Sequence, residues 1–274
     1  MSRERFVPLP AGDSRYARIR RALIDRPRGR TELRRAPPRS LPSSSAGKVF
    51  WSQRAWSEYA AVPAMAQTAL AVVRAKGPLD ALHILAVIGA DEVRHTEISK
   101  HLADELGGYL DTIPEGSGFR PNGLADPYDL SLPFWALSNG CVSETLSLEL
   151  MRTRLPHITN AYVRSTVTHV MKDEMVHARI SWLLAAEIFP ALDPTSREEL
   201  AEYAGDLFEV MARTFVTRAL PPDDRRAERR LRNTVAREGL GAAPSAEEDA
   251  TFLRVRDEIV LPRLRKLGLP VGPA

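Results

Sequence analysis

The sequence predicts an all-α protein: a four-helix bundle with one long crossover, followed by additional C-terminal helices. Three observations lead there. From Val49 onward apolar residues recur at spacings of three and four, β-branched residues form no short runs, and Gly/Pro punctuation comes at helix-length intervals. The 274 residues divide into a basic Pro/Ser-rich arm (1–48), a bundle with a fifth helix (49–219) and a helical extension (220–274).

The first helix is expected over 52–75, stopped by Lys76-Gly77-Pro78, and the second over 79–106, stopped by Gly107-Gly108. Residues 109–132 carry Pro114, Gly116, Gly118, Pro121, Gly123 and Pro127, a segment too long for a simple helix–helix turn. A third helix follows over 133–154, with Pro133 in its first turn and Pro156 breaking it. The fourth spans 158–188 and ends at Pro190. The fifth spans 196–219 and ends at Pro221-Pro222. Two charged helices, 223–239 and 246–267, complete the chain.

Composition bounds the function. One cysteine excludes an internal disulfide framework and a cysteine-only metal site, and it fits a reducing compartment. No stretch approaches 18 apolar residues, and the N-terminus lacks a signal-like apolar run, so a cytoplasmic protein without a membrane partner is expected. The net charge of +3 hides an asymmetry: residues 1–48 hold thirteen Arg/Lys against four acidic residues. Such an arm suits an acidic partner or its own acidic body. With only Phe6 and Tyr16 to stack on bases, nucleic acid is not the expected partner. A short amphipathic turn is expected around 16–23.

The chemistry sits on a two-fold echo. Asp91-Glu92-Val93-Arg94-His95 falls in the second helix and Asp173-Glu174-Met175-Val176-His177 in the fourth. A Glu and a His three apart project from one helix face, the spacing a metal ion needs to take both from one helix. Four Asp-Glu dipeptides and six histidines make two such hits an accident roughly 0.3% of the time. A carboxylate-bridged pair of ions needs two more carboxylates from two other helices, and Glu58 and Glu144 supply them. The midpoint of Glu58 and Glu92 is residue 75, beside the turn at 76–78. The midpoint of Glu144 and Glu174 is residue 159, beside the break at 156–160. Glu149, five residues past Glu144, points elsewhere.

Four carboxylates and two imidazoles suit iron or manganese better than zinc or copper. Each ion takes one terminal carboxylate and one His, with Glu92 and Glu174 as bridges, and two divalent ions neutralise the four charges. Asp91 and Asp173 are acceptors for the ring N–H of the His on the opposite helix, and Arg94 can neutralise one of them. Pro63 withholds an N–H from the Tyr59 carbonyl, so a kink is expected within a turn of Glu58. Cys141, one α-helical turn before Glu144, is a candidate cavity residue. His169, one turn before Asp173, is a candidate for indirect contact with the site. His83, His101 and His157 have no carboxylate partner at bundle spacing.

The pattern Glu58…Asp91-Glu92-x-x-His95…Glu144…Asp173-Glu174-x-x-His177 resembles the ferritin-like di-iron carboxylate superfamily, over roughly residues 50–190. It looks most like the bacterial di-iron oxygenases of the p-aminobenzoate N-oxygenase type, with 32 and 28 residues between the paired motifs. That family places a third histidine one turn before the last Glu, where this chain has Val170. The first pentad also has the Asp-Glu-x-Arg-His form of multicomponent monooxygenases, whereas the second has Val176 in place of Arg. The resemblance implies a ferritin-like bundle holding two iron ions, with manganese as the other candidate. It implies O2 as cosubstrate in hydroxylation, N-oxygenation or desaturation of a small organic molecule. The expected partners are that substrate, a separate electron donor (a reductase or ferredoxin) and a second copy of the chain. The alternatives are a ferroxidase or peroxidase without organic substrate and a tRNA-modifying di-iron hydroxylase.

Overall fold

The computed structural model describes residues 41–74, 76–77, 79–111 and 132–272, and among these the secondary structure is helical with no strand. The basic arm through residue 40, with the turn expected at 16–23, and positions 112–131 of the expected crossover lie outside the described residues. The helices are α1 (Ser45–Arg74), α2 (Leu79–Glu105), α3 (132–154), α4 (Ala161–Ile188), α5 (Pro194–Phe215), α6 (Pro222–Arg237) and α7 (245–266). Within α3 a first turn, Leu132–Trp135, leads into a π-helical stretch, Ala136–Glu144, and then an α-helix, Thr145–Arg154. No helix among the described residues is long and apolar enough to cross a membrane.

Helix α1 begins seven residues before the expected position 52. The run Ser43-Ser44-Ser45 reads as linker by composition, yet serine is also a preferred N-cap. Ser44 acts as one: its Oγ accepts from the Gly47 N–H at 2.8 Å, and its own N–H donates to the Leu106 carbonyl at 2.8 Å. Helix α1 continues through Pro63 and closes where Gly77 N–H returns to the Val72 carbonyl at 2.8 Å. Since Ser44 meets Leu106 while Met65 lies against Gly89, α1 and α2 run antiparallel.

Helices α3 and α4 form the second antiparallel pair. The Asn160 side chain caps α4 by accepting from Tyr162 and Val163 N–H. Arg164 reaches the Leu155 carbonyl near the turn, and farther along Trp182 Nε1 donates to Thr145 Oγ1 at 2.9 Å. Gly140 lets the two backbones close, because a Cβ there would stand 2.9 Å from Ser181 Cβ. Helix α5 starts on an Asp193 cap and ends at Phe215 rather than 219, where residues 217–219 form a 3₁₀ turn.

Two apolar clusters fill the interior. One gathers Val72, Ile84, Ile88, Trp135, Val142 and Ile180. The other gathers Phe50, Trp51, Ile98, Leu102, Val163 and Val170. Along α1, α2 and α4 the segment between the two clusters is the one that carries Glu58, Asp91–His95 and Asp173–His177, so a polar layer lies between two dry ones. Helix α7 adds Phe252 and Leu264 to the first cluster, and α6 adds Val235 to the second. Trp51 Nε1 donates to the Leu240 carbonyl at 2.7 Å, tying α1 to the segment between α6 and α7.

Candidate metal centre

The polar layer brings Glu58 from α1, Glu92 and His95 from α2, Glu144 from α3, and Glu174 and His177 from α4 to one place. All six side chains are buried. Their donor atoms fall into two groups within which every atom lies within 4.8 Å of the others: Glu92, Glu144, Glu174 and His177, and then Glu58, Glu92 and His95. Either group is close enough for one ion.

Two carboxylates span the two groups. Glu92 turns Oε1 toward His177 Nδ1 at 3.2 Å and Oε2 toward His95 Nδ1 at 3.8 Å. Glu174 turns Oε1 toward His95 Nδ1 at 3.7 Å and Oε2 toward His177 Nδ1 at 3.8 Å. Glu144 Oε2 stands 3.6 Å from His177 Nδ1. The imidazoles face one another with ring centroids 5.9 Å apart.

Outside the ring pair the contacts cross over. His95 Nε2 pairs with Asp173 Oδ2 at 3.3 Å, and His177 Nε2 pairs with Asp91 Oδ2 at 3.2 Å. Each His is thus oriented by the opposite helix, and an N–H at Nε2 leaves the Nδ1 lone pair facing inward. Arg94 neutralises both aspartates rather than one, reaching Asp173 Oδ2 at 2.5 Å and Asp91 Oδ1 at 3.1 Å. Both inward Nδ1 atoms are buried without a hydrogen-bond partner, although carboxylate oxygens stand 3.2 Å from that of His177 and 3.7 Å from that of His95. Such buried ring nitrogens without a partner, beside four carboxylates, fit a cation.

The electrostatics agree with that fit. Burial, reinforced by neighbouring carboxylates, raises the pKa of Glu92 and Glu174 well above the usual carboxylate range. Burial also acts upward on Glu144, but the neighbouring His177 outweighs it and the pKa falls. His177 is held well above the usual imidazole range: its burial is outweighed by Asp91, Glu144 and Glu92. Asp173 is lowered by His95 and Arg94 against its burial.

A cavity of about 900 Å³ opens onto Glu58, Glu92, Glu144 and Glu174. Its walls include Leu146, Leu150, Met211 and Phe215, with the hydroxyls of Ser143 and Ser147 near the carboxylates. Cys141 is not among its lining residues. It is fully buried and points Sγ toward the Ser181 carbonyl at 3.8 Å. The π-helical stretch explains this, since i→i+5 bonding widens each turn and residues three apart no longer share a face. Pro63 lies in α1 beyond Ala60 and Ala61, which do line the cavity. His169 is half-buried and belongs to neither ligand group. Burial lowers its pKa, partly offset by the charge of Asp173. Glu149 does point elsewhere, pairing with Arg152 and with Arg254 Nη2 at 2.8 Å.

One residue of the centre escaped the sequence reading. Arg54 pairs with Glu58 one turn along α1, and its Nη2 also reaches Glu174 Oε1 at 3.3 Å and Ser147 Oγ at 3.1 Å. The spacing of four from Glu58 was its only signal in the sequence, and surface helices carry that spacing everywhere. Counting both aspartates, six carboxylates face two guanidiniums, and the four uncompensated charges equal those of two divalent ions. Comparisons of this chain with protein families, with curated proteins and with solved structures find no match.

Proposed function

We propose that this protein is a ferritin-like di-iron carboxylate enzyme that uses O2 to oxidise a small organic molecule. One observation carries the reading: two carboxylates, Glu92 and Glu174, each turn one oxygen to each of two buried imidazoles whose inward nitrogens have no hydrogen bond. Glu58 and His95 would hold one ion, Glu144 and His177 the other, with Glu92 and Glu174 shared. Oxygen-rich donor sets with one nitrogen per ion favour iron or manganese. Bound there, an iron pair supplies the electrons with which O2 is activated.

The chain's own residues do the rest. Burial raises the proton affinity of Glu92 and Glu174, so a bound cation would compete there with protons and metal uptake would depend on pH. Asp91 and Asp173 fix the imidazole tautomers, and Arg94 holds both aspartates in place. The cavity beside the carboxylates leaves space on the scale of a small ligand, about 300–1,000 Å³, with Leu146, Leu150, Met211 and Phe215 as apolar walls. That space favours an organic substrate over the competing reading, iron oxidation for its own sake.

The test is metal content and reaction with O2. The purified protein is expected to carry two ions per chain, with Glu92→Ala and His177→Ala carrying less than one. Mixing the reduced, iron-loaded protein with O2 should change its visible absorption within seconds. A protein that takes up no iron or manganese, or whose reduced form is inert to O2, ends the proposal.

A further inference from the structure

We propose that the two ion positions are unequal and that Arg54 makes them so, guarding the Glu58–His95 half while leaving the Glu144–His177 half open. The inference rests on the metal centre proposed above and concerns the order in which it fills.

Three observations lead to it. The Glu144 half offers four donors within mutual reach, and the Glu58 half offers three. The Arg54 guanidinium contacts two carboxylate oxygens, Glu58 Oε1 and Glu174 Oε1. Glu174 Oε1 is the oxygen that faces His95, whereas Oε2 faces His177. Both contacts therefore fall on the His95 side, on Glu58 itself and on the Glu174 oxygen that faces His95. Among the described residues no Arg or Lys pairs with Glu144, whose ionic partner is His177. A first ion can enter the Glu144 half without displacing a guanidinium. A second must break a charge-assisted hydrogen bond to Glu174 and an ion pair to Glu58, and bring positive charge next to a guanidinium.

Arg54 also has somewhere to go. Ser147 Oγ pins its Nη2 beside the two oxygens at 3.1 Å from the α3 side, but Arg54 also lines the 900 Å³ cavity. The second ion would drive it off the two oxygens and into that space. Arg54 is thus a positioning residue for the empty site and a competitor for the half-filled one.

Titration of the metal-free full chain with Mn2+, followed by calorimetry and by the electron paramagnetic resonance of free Mn2+, tests this without reference to turnover. Wild type is expected to bind in two steps, the second at least about tenfold weaker, the scale of a lost charge-assisted bond. Arg54→Gln should tighten the second step about tenfold and change the first by less, and Arg54→Lys, which retains the charge, should keep the gap. Should Arg54→Gln fail to fold, Ser147→Ala loosens the guanidinium and should tighten the second step several-fold. Two equal steps in wild type, or a gap unmoved by Arg54→Gln or, in its stead, Ser147→Ala, overturns the inference. No Mn2+ binding by wild type overturns the metal centre itself.

Discussion

Glu174 and Glu248 are both 1% exposed, yet the fold moves their proton affinities in opposite directions. Glu248 accepts a two-point contact from Arg154, at 2.7 and 2.9 Å, and the Ala243 N–H at 3.0 Å. Arg232 stands 3.5 Å from its other side. Beside it Asp249 accepts both the N–H and the hydroxyl of Thr217 at 2.8 Å. Burial would raise Glu248, but the arginines outweigh it and the pKa is lowered. Glu174 has carboxylates for neighbours and a share of one guanidinium, so burial wins. Buried charge alone therefore does not mark a functional site in this molecule. The cluster around Glu248 is balanced by arginines of the chain, and the one around Glu174 is a group of carboxylates and imidazoles that could hold a cation.

The sharpest way to break that comparison is to neutralise both residues. Glu248→Gln strips charge from two buried arginines and should cost about 3–5 kcal/mol in denaturant unfolding. Glu174→Gln in metal-free protein should cost nothing or stabilise, because it removes one of several repelling carboxylates. The pH dependence should differ in sign. The lowered Glu248 contributes fully above the ordinary carboxylate range, and its contribution is lost as pH falls through its folded value. The raised Glu174 is most compatible with folding below that range and less so as pH climbs toward its folded value. The advantage of Glu174→Gln over wild type should therefore widen with rising pH. Equal losses in the two variants would mean that both clusters are structural.

A smaller effect is expected one contact farther out. Asp91→Asn leaves His177 Nε2 without its anionic partner, and chelator competition should read a metal affinity reduced about 10–100-fold. Asp173→Asn should act alike on the His95 half. The smallest effect separates stability from metal binding: Ser44→Ala removes the α1 cap and should lower unfolding free energy by about 1 kcal/mol with metal affinity unchanged.

Much of the helical layout was legible because its signals are local. Lys76-Gly77 and Pro156–Asn160 interrupt the periodicity outright, and the spacing of Glu92 with His95 and Glu174 with His177 puts each pair on one face. Counting from the turns then brings Glu58 and Glu144 to the same depth. The π-helical stretch was not legible, because nothing in Ala136–Glu144 distinguishes i→i+5 from i→i+4 bonding; the choice depends on packing against α4. Nor was Arg54 separable from an ordinary exposed i,i+4 pair, since its second carboxylate comes from a helix 120 residues away. The Ser44 cap was obscured by composition, which averages over a residue whose role depends on one hydrogen bond.

The widened turn in α3 has one more effect. An uninterrupted α-helix would aim the chain's single thiol toward the same chamber as Glu144, within reach of any oxidant admitted there. Rotated instead against the Ser181 carbonyl, and kept protonated by burial, Cys141 lacks the exposed thiolate on which oxidative damage depends. The same local unwinding that presents the carboxylate also shelters the sulfur.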